Sequence, residues 1–252
     1  MKNIQYKTKN IKNFFSTDRV KWSQFYLSEK VIIDKAFKNF KNIDEAKVLD
    51  IGCACGGLGI ALKDKFNVIN YTGIEINKDA ADYAKINNPD FKILVGDFLE
   101  VSNKINNNYF DFVFSLSCID WQNNFSESLY QSWSKVKPGG SFIVSLRVVN
   151  YETINDISKS FQYINYEDKK IGEIAPYVVI NINDLMSYIS KLNASEINAY
   201  GYYGNISKTA VCPYNELCFA VFSIKKNDIN ENLNPKLFIN LPLEIKKQVK
   251  LT

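Results

Sequence analysis

Histidine is absent from this chain of 252 residues, and arginine occurs only at positions 19 and 147. The usual imidazole base is therefore excluded, and a metal site would need carboxylates or thiolates alone. The sequence contains no such cluster, so we expect no metal. Since lysine stands at nearly every other basic position, Arg19 and Arg147 are candidates for contacts that need a planar, bidentate cation.

Long apolar runs are also absent, and no stretch approaches the roughly 20 residues that cross a bilayer, so we expect no membrane insertion. The basic first residues lack an apolar core and a cleavage site, which predicts a cytoplasmic protein without a signal peptide. The net charge of +4 is modest and the lysines are scattered, so nucleic-acid binding is not expected. The five cysteines fit a reducing compartment, and Cys53-x-Cys55 lacks the second pair of a zinc site.

What the sequence does contain is a strand, a turn of small residues and a helix between Lys47 and Leu62. Small residues let the backbone approach a ligand, and the start of a helix offers unpaired N–H donors. Asp50 stands directly ahead of the first turn glycine, Gly52. An acid there does not suit the pyrophosphate of a dinucleotide but suits a ligand with a cationic amino group.

Three further predicted strands end near polar side chains. Strand 71–76 carries Glu75 at its tip, where one carboxylate can accept from both hydroxyls of a ribose. Strand 91–95 precedes Gly96-Asp97-Phe98, and strand 109–115 precedes Asp120-Trp121. Because ligands bind beyond the carboxyl ends of parallel strands, these residues are expected to share a crevice.

The second half of the chain continues this alternation. A helix over 122–136 is expected to end at the turn Lys137-Pro138-Gly139-Gly140, and strand 141–146 delivers Arg147 at its carboxyl end. Strands 196–203 and 217–225 are expected to pair through a loop. Helices are predicted near Asp18 and over 28–40, 79–87 and 183–192.

The pattern D-x-G-x-[AG]-x-G at Asp50–Gly56 resembles motif I of class I S-adenosylmethionine-dependent methyltransferases, and Glu75, Asp97 and K-P-G-G resemble later motifs in the same order. The resemblance implies an α/β, Rossmann-like, seven-stranded and mostly parallel sheet with helices on both faces and a terminal antiparallel strand pair. It also implies S-adenosylmethionine as cofactor and S-adenosylhomocysteine as product. The overall pattern is similar to small-molecule methyltransferases of bacterial surface-polysaccharide gene clusters.

The resemblance also implies roles for individual residues. Asp50 would face the methionyl end of the cofactor, Glu75 the ribose and Asp97 the adenine amino group, with Phe98 packed on the ring. The full set expected to bind the cofactor is Asp50, Gly52, Cys53, Ala54, Gly56, Glu75, Ile76, Asp97, Phe98 and Ser115.

Asp120 and Arg147 are the candidate catalytic residues. Asp120 could take a proton from a hydroxyl, a tyrosine or lysine with a shifted pKa could do so instead, or an ionised oxygen held by Arg147 could need no base. Residues expected to contact the acceptor are Arg19, Trp22, Tyr26, Trp121, Arg147, Tyr202 and Lys208.

We therefore expect O-methylation of a small anionic metabolite, such as a sugar nucleotide, a sugar phosphate or a phosphate-type oxygen, in capsule or other surface-polysaccharide biosynthesis. N-methylation of a small amine is one alternative, and a catalytically inactive cofactor-binding partner subunit is another. The only partner expected besides another copy is the small-molecule acceptor, and the protein is expected to be a monomer or homodimer. The expected divisions are an N-terminal helical cap over 1–45, a methyltransferase domain over 46–226 with an acceptor lid at 148–181, and a docking tail over 227–252.

Overall fold

A mostly parallel β-sheet lies at the centre of the fold. The computed structural model describes residues 6–38, 40–165, 168–228 and 234–250, and the other parts of the predicted cap, lid and tail lie outside the described residues. The strands of this part of the chain are β1 (Lys47–Ile51), β2 (Asn70–Glu75), β3 (Lys92–Val95), β4 (Phe110–Ser115), β5 (Val136–Val149), β6 (Phe161–Tyr163), β7 (Ile174–Pro176), β8 (Ile180–Asn181), β9 (Ala194–Asn205), β10 (Ala210–Val211), β11 (Glu216–Lys226) and β12 (Lys236–Asn240).

Short and medium helices connect these strands. Among the described residues, no helix is both long and apolar enough to cross a membrane. The helices are α1 (Asn10–Phe15), α2 (Leu27–Lys38), α3 (Gly57–Phe66), α4 (Lys78–Asn87), α5 (Phe98–Val101), α6 (Phe125–Lys135), α7 (Ile182–Ile189) and α8 (Leu243–Lys246).

The main sheet has the strand order β3-β2-β1-β4-β5-β11-β9-β12. Strands β1 to β5 run parallel, whereas β11 is antiparallel to both β5 and β9. The predicted α/β, Rossmann-like fold with a terminal antiparallel pair is confirmed. Two strands are added to the seven predicted, since β12 pairs parallel to β9 and β8 pairs parallel to the end of β5.

The central strands are buried on both faces. In β1, Leu49 and Ile51 pack in one hydrophobic cluster and Val48 packs in another. Successive side chains of a strand point to opposite faces of a sheet, so the two clusters cover its two sides. Because β1 to β5 run parallel, their carboxyl ends lie at one edge of this buried sheet, and the candidate residues lie at that edge.

A second, three-stranded sheet is built from the insertion and the loop before β11. Its order is β10-β6-β7, and both pairings are antiparallel. The region 148–181, expected as an acceptor lid, contains the paired strands β6 and β7. Its role as a lid stays a prediction.

The prediction of a helix that begins near Asp18 is wrong. The chain forms α1 earlier, and then a single 3₁₀ turn at Trp22–Gln24. Between them Arg19 has φ of 57°, a left-handed conformation that interrupts a helix. The Gln24 side chain accepts from the amides of Val20 and Lys21 at 3.0 and 2.8 Å, which stabilises the turn.

The turn expected at Lys137–Gly140 is part of β5. The strand begins at Val136, and its pairing with β4 shifts register between Phe110 and Phe112. Gly139 has φ of 76° within this irregular stretch, which is a conformation that favours glycine. The glycines therefore allow a bulge near the start of a strand rather than a separate turn before it.

Replacing Gly140 by alanine should destabilise the fold. A Cβ there would lie 2.7 Å from the Asp111 carbonyl oxygen and 3.0 Å from the carbonyl oxygens of Phe110 and Lys137. These are backbone atoms that cannot rotate away, so we expect the free energy of unfolding to fall by about 1–3 kcal/mol. Urea denaturation followed by circular dichroism measures this change.

Gly204→Ala is the matched control for this measurement. A Cβ at Gly204 would meet ring atoms of Phe219 at 3.1 and 3.2 Å, and a side chain can shift where a backbone cannot. The control should therefore lose less stability than Gly140→Ala. Equal urea midpoints for Gly140→Ala and the wild type would contradict the close approach.

Candidate active site

The turn after β1 has a backbone that favours small residues. Gly52 and Gly56 have φ of 77° and 82°, and Gly56 is the N-cap of α3. A Cβ on Gly52 would lie 2.5 Å from the Cys118 Sγ. The amides of Gly52 and Cys53 donate to the Ile74 carbonyl at 2.8 and 3.0 Å, so the turn is tied to β2.

Asp50 is a buried carboxylate at the end of β1. The Tyr71 hydroxyl donates to its Oδ2 at 2.5 Å. Burial raises the pKa of Asp50 to about 7, although the Tyr71 hydrogen bond and the Arg19 guanidinium oppose this rise. A cationic ligand group beside Asp50 would therefore be stabilised, because it would offset the cost of burying the ionised carboxylate.

Glu75 is held at the tip of β2 by the backbone around it. Its Oε2 accepts from the Ala54 amide at 2.8 Å, and its Oε1 accepts from the Asn77 amide at 2.7 Å. Burial raises the pKa of Glu75, and these two hydrogen bonds act in the opposite direction. The Ile76 amide acts on Glu75 in the same direction as those of Ala54 and Asn77, and three donors leave part of the acceptor capacity of the carboxylate for a hydroxyl group.

Asp50 and Glu75 line a cavity of about 730 Å³, a volume in the range of small-molecule sites. Asp120, Arg147 and Tyr177 line it as well. Because β1 and β2 are neighbours in the sheet and β4 and β5 follow on the other side of β1, we call the region of Asp50 and Glu75 one end of the cavity and the region of Asp120 and Arg147 the other. The predicted cofactor residues that line this cavity are Asp50, Gly52, Cys53, Ala54, Glu75 and Ile76.

Four other predicted cofactor residues are not in the lining, and the roles expected for them gain no support. Asp97 uses its side chain to cap α5, accepting from the Leu99 amide at 3.0 Å. Phe98 is buried in the core, and Ser115 Oγ accepts from the Ile119 amide at 3.2 Å. Gly56 serves the turn through its conformation. The polar groups among them already have partners in the fold, and Phe98 is enclosed by the core.

Arg147 and Asp120, the two predicted catalytic residues, form a buried ion pair. Arg147 Nη2 lies 3.0 Å from Asp120 Oδ2, and each side chain is 5% exposed. Arg147 also donates through Nε to the Val178 carbonyl at 3.1 Å and through Nη2 to the Asp120 carbonyl. Its guanidinium lies 3.7 Å from the Tyr177 ring centroid. The expected role of Arg147 in holding an ionised oxygen of the acceptor therefore gains no support, since Asp120 already pairs with its guanidinium.

Two polar atoms near this pair lack a hydrogen-bond partner in the described part of the chain. They are Asp120 Oδ1 and Trp121 Nε1, both buried. Burial raises the pKa of Asp120 to about 6, while Arg147 opposes the rise. The pair is thus fixed in place, and Asp120 retains capacity to accept a hydrogen bond.

Of the residues expected to contact the acceptor, Trp121, Tyr26 and Tyr202 line the cavity, and their contacts with an acceptor stay a prediction. Arg19 also lines the cavity. Its Nη2 pairs with Glu29 Oε1 at 2.8 Å, and its charge lowers the pKa of Asp50, so Arg19 lies near the Asp50 end.

Trp22 and Lys208 lie outside the cavity lining, so their expected contacts with the acceptor gain no support. Trp22 stacks on Phe25 and meets the edge of Phe66. Lys208 is exposed and pairs with Asp168 at 2.7 Å. A core aromatic and a surface lysine are the ordinary locations for these residue types.

The N-terminal segment crosses the cavity between the main sheet and the insertion. The Asn77 side chain donates to the carbonyls of Tyr6 and Thr8 at 3.0 and 3.1 Å. The Thr8 amide donates to Glu173 at 2.7 Å, and the Tyr6 hydroxyl donates to the Trp121 carbonyl at 3.3 Å. These contacts join segments far apart in sequence, so the segment forms one wall of the cavity.

Several residues of the site were missed from the sequence. Tyr71 lies outside the cavity lining but donates to Asp50, and it had an available signal, because it pairs with Val48 on the neighbouring strand and so shares a face with Asp50. Gln162, Tyr177 and Ser207 had none, since they lie in stretches without periodicity.

Comparison with known proteins gives a family match over most of the chain. Residues 43–201 match a family described as a methyltransferase domain. Release factor glutamine methyltransferase of Buchnera aphidicola is 26% identical over 170 residues, which cover 63% of this chain and 61% of that protein. Ubiquinone biosynthesis O-methyltransferase of Rickettsia bellii is 29% identical over 132 residues, which cover 52% of this chain and 51% of that protein. The chain thus spans about half to three fifths of the length of these relatives.

Solved structures share the fold at low sequence identity. A S-adenosylmethionine-dependent methyltransferase of Methanosarcina mazei superposes with a TM-score of 0.58 at 18% identity, covering 81% of this chain and 98% of that one. Phosphoethanolamine N-methyltransferase 2 of Haemonchus contortus, in complex with S-adenosylmethionine, gives 0.56 at 15% identity, covering 82% and 53%. At this identity the likeness establishes the fold alone.

Binding of S-adenosylhomocysteine should strengthen between about pH 5.5 and 7.5 as Asp50 ionises, because the carboxylate attracts the ligand ammonium. Isothermal titration calorimetry should show a Kd that falls by up to about tenfold per pH unit below the pKa of Asp50 and levels off above it. The Asp50→Asn variant should bind weakly with little pH dependence over this range.

Tyr71→Phe tests the same assignment independently. The Tyr71 hydrogen bond lowers the pKa of Asp50, so its removal should move the midpoint of the pH profile upward. A wild-type Kd that does not change over this pH range would contradict a role for Asp50 in binding.

Proposed function

Because the chain belongs to the methyltransferase domain family, in which S-adenosylmethionine is the methyl donor, we propose that it methylates a hydroxyl of a small acceptor bound near Asp120. One observation carries the proposal: a single cavity has Asp50 and Glu75 at one end and Asp120 and Tyr177 at the other. A donor and an acceptor can therefore share one enclosure, as alignment for a direct displacement requires.

The residues present fit S-adenosylmethionine. Asp50 suits an ammonium group, because the nearby Arg19 is already paired with Glu29. Glu75 suits the ribose hydroxyls, and the glycine at position 52 leaves the turn without a side chain. When bound, the cofactor supplies an electrophilic methyl group on its sulfonium.

Asp120 is the residue we assign to proton acceptance. It lines the acceptor end, and its Oδ1 has no hydrogen-bond partner among the described residues. A pKa of about 6 leaves it ionised at neutral pH while it remains basic enough to assist a hydroxyl. Arg147 holds Oδ2 and so orients the carboxylate.

The charges around the cavity favour an acceptor whose part inside the cavity is uncharged. Among the described residues, the only cationic side chains in the lining are Arg19 and Arg147, and each is paired with a carboxylate. The expected anionic acceptor relied on a free Arg147, and that support is gone. A sugar hydroxyl, including one in capsule or other surface-polysaccharide biosynthesis, stays within the proposal if any phosphate remains outside the cavity.

N-methylation of a small amine is the second enzymatic candidate, and one solved structure with the same fold is that of a phosphoethanolamine N-methyltransferase. An ammonium would need carboxylate and aromatic partners at the acceptor end. The Arg147 guanidinium already lies 3.7 Å from the Tyr177 centroid and 5.2 Å from that of Trp121. This arrangement favours a hydroxyl acceptor over a cationic amine.

The test is transfer of labelled methyl from S-adenosylmethionine to a panel of neutral glycosides, sugar nucleotides, sugar phosphates, phenols and amines. Transfer to hydroxyls supports the proposal, and transfer only to amines would overturn it. Binding of S-adenosylhomocysteine without turnover of any acceptor would favour an inactive cofactor-binding subunit. The expected cytoplasmic location and monomeric or homodimeric state belong to this proposal as well.

Asp120→Asn should lower kcat for a hydroxyl acceptor by about 10²–10⁴, because the variant cannot accept the proton. The Kd for S-adenosylhomocysteine should stay near the wild-type value, since Asp50 and Glu75 are unchanged. The wild-type rate should rise as pH passes through about 6 and then level off, because only ionised Asp120 accepts a proton.

The matched control is Asp168→Asn, which removes an exposed carboxylate paired with Lys208 outside the cavity. Its kcat should equal that of the wild type. An Asp120→Asn variant with full turnover and the same pH profile as the wild type would contradict the assignment of Asp120.

A further inference from the structure

The small sheet carries a polar side chain that lines the cavity, Gln162. Its neighbour Phe161 pairs with Pro176, the residue before Tyr177, which places this part of β6 next to the acceptor end. Gln162 is the middle residue of β6, which lies between β10 and β7. Gln162 and Ile164 line the cavity. Residues two apart in an extended segment share a face, so their shared position follows from the backbone of β6.

The amide of Gln162 is fixed by two hydroxyl groups. Its Nε2 donates to Ser207 Oγ and to Thr209 Oγ1, each at 3.0 Å. These two hydroxyls lie 3.1 Å from each other, and Thr209 is buried. Both amide hydrogens are therefore used, and Oε1 is left as an oriented hydrogen-bond acceptor.

The surrounding charges determine which partner that oxygen suits. The carboxylates in the lining are Asp18, Glu29, Asp50, Glu75 and Asp120, against two arginines that are both paired. An anionic group near Gln162 would meet a carbonyl oxygen, and the described lining offers it no unpaired cationic side chain. A hydroxyl would instead donate a hydrogen bond there without being repelled.

We propose that Gln162 determines specificity by accepting a hydrogen bond from a second hydroxyl of the acceptor. The acceptor is then an uncharged, polyhydroxylated molecule such as a glycosyl group, with one hydroxyl beside Asp120 and another at Gln162. Tyr177 and Phe219 also line the cavity and offer the apolar surface that sugar rings contact. This inference rests on the proposed function, because it names the class of molecule that occupies the acceptor end.

The experiment measures binding to the full chain saturated with S-adenosylhomocysteine. Saturation-transfer NMR is recorded with methyl hexopyranosides, the corresponding hexose 1-phosphates, catechol and ethanolamine as probes. The methyl hexopyranosides should bind, and the other probes should bind more weakly. Gln162→Leu should weaken glycoside binding about tenfold, since one neutral hydrogen bond contributes roughly that factor.

Two further variants distinguish recognition from a structural effect. Gln162→Glu keeps an oxygen for the ligand and can accept from Ser207 and Thr209, so glycoside binding should stay within about threefold of the wild type. Gln131→Leu makes the same change on α6, outside the cavity lining, and should have no effect. The Kd for S-adenosylhomocysteine should be the same in all variants.

The possible failures are separable. If S-adenosylhomocysteine does not bind the wild type, the proposed function itself fails. If it binds but no glycoside does, or if Gln162→Leu leaves glycoside binding unchanged, the role of Gln162 is overturned. Tighter binding of hexose 1-phosphates than of glycosides would overturn the uncharged class of acceptor.

Discussion

The buried ion pair between Asp120 and Arg147 is the interaction on which the acceptor end depends. Arg147 extends from β5, Asp120 follows β4, and the carbonyl of Val178 comes from the insertion, so one guanidinium joins three separate segments. Removing one member of such a pair leaves an unpaired buried charge, which costs about 3–5 kcal/mol. The pair is consequently both a structural tie and the reason that Asp120 has a fixed orientation.

The same requirement for paired charges shapes the rest of the cavity. Arg19 is paired with Glu29, and burial raises the pKa of Asp50 toward neutrality although the Arg19 guanidinium opposes this rise. The Asp50 end therefore suits a cationic group, and the described residues offer no unpaired cation at the other end. Under the proposed function, this asymmetry of charge separates the place of the methyl donor from that of an uncharged acceptor.

Segments remote from the sheet complete the enclosure. The N-terminal segment contacts Asn77 and Glu173 through its backbone, and the small sheet brings Gln162 beside the acceptor end. The main sheet supplies the residues near its strand ends, whereas these added segments supply the walls. Variation in the walls could therefore change the acceptor without altering the strand that carries Asp50.

The sequence by itself determined where the central strands lie along the chain, the turn after β1 and the position of Asp50 and Glu75 near strand ends. Such features depend on periodicity, on glycine conformation and on the rule that parallel strands present their carboxyl ends at one edge. Only the tertiary structure decided that Arg147 is neutralised by Asp120, that the Asp97 side chain caps a helix, and that Gln162 lines the cavity. Those outcomes depend on contacts between residues far apart in the chain, where burial selects the partner of each charge and no local pattern records the choice.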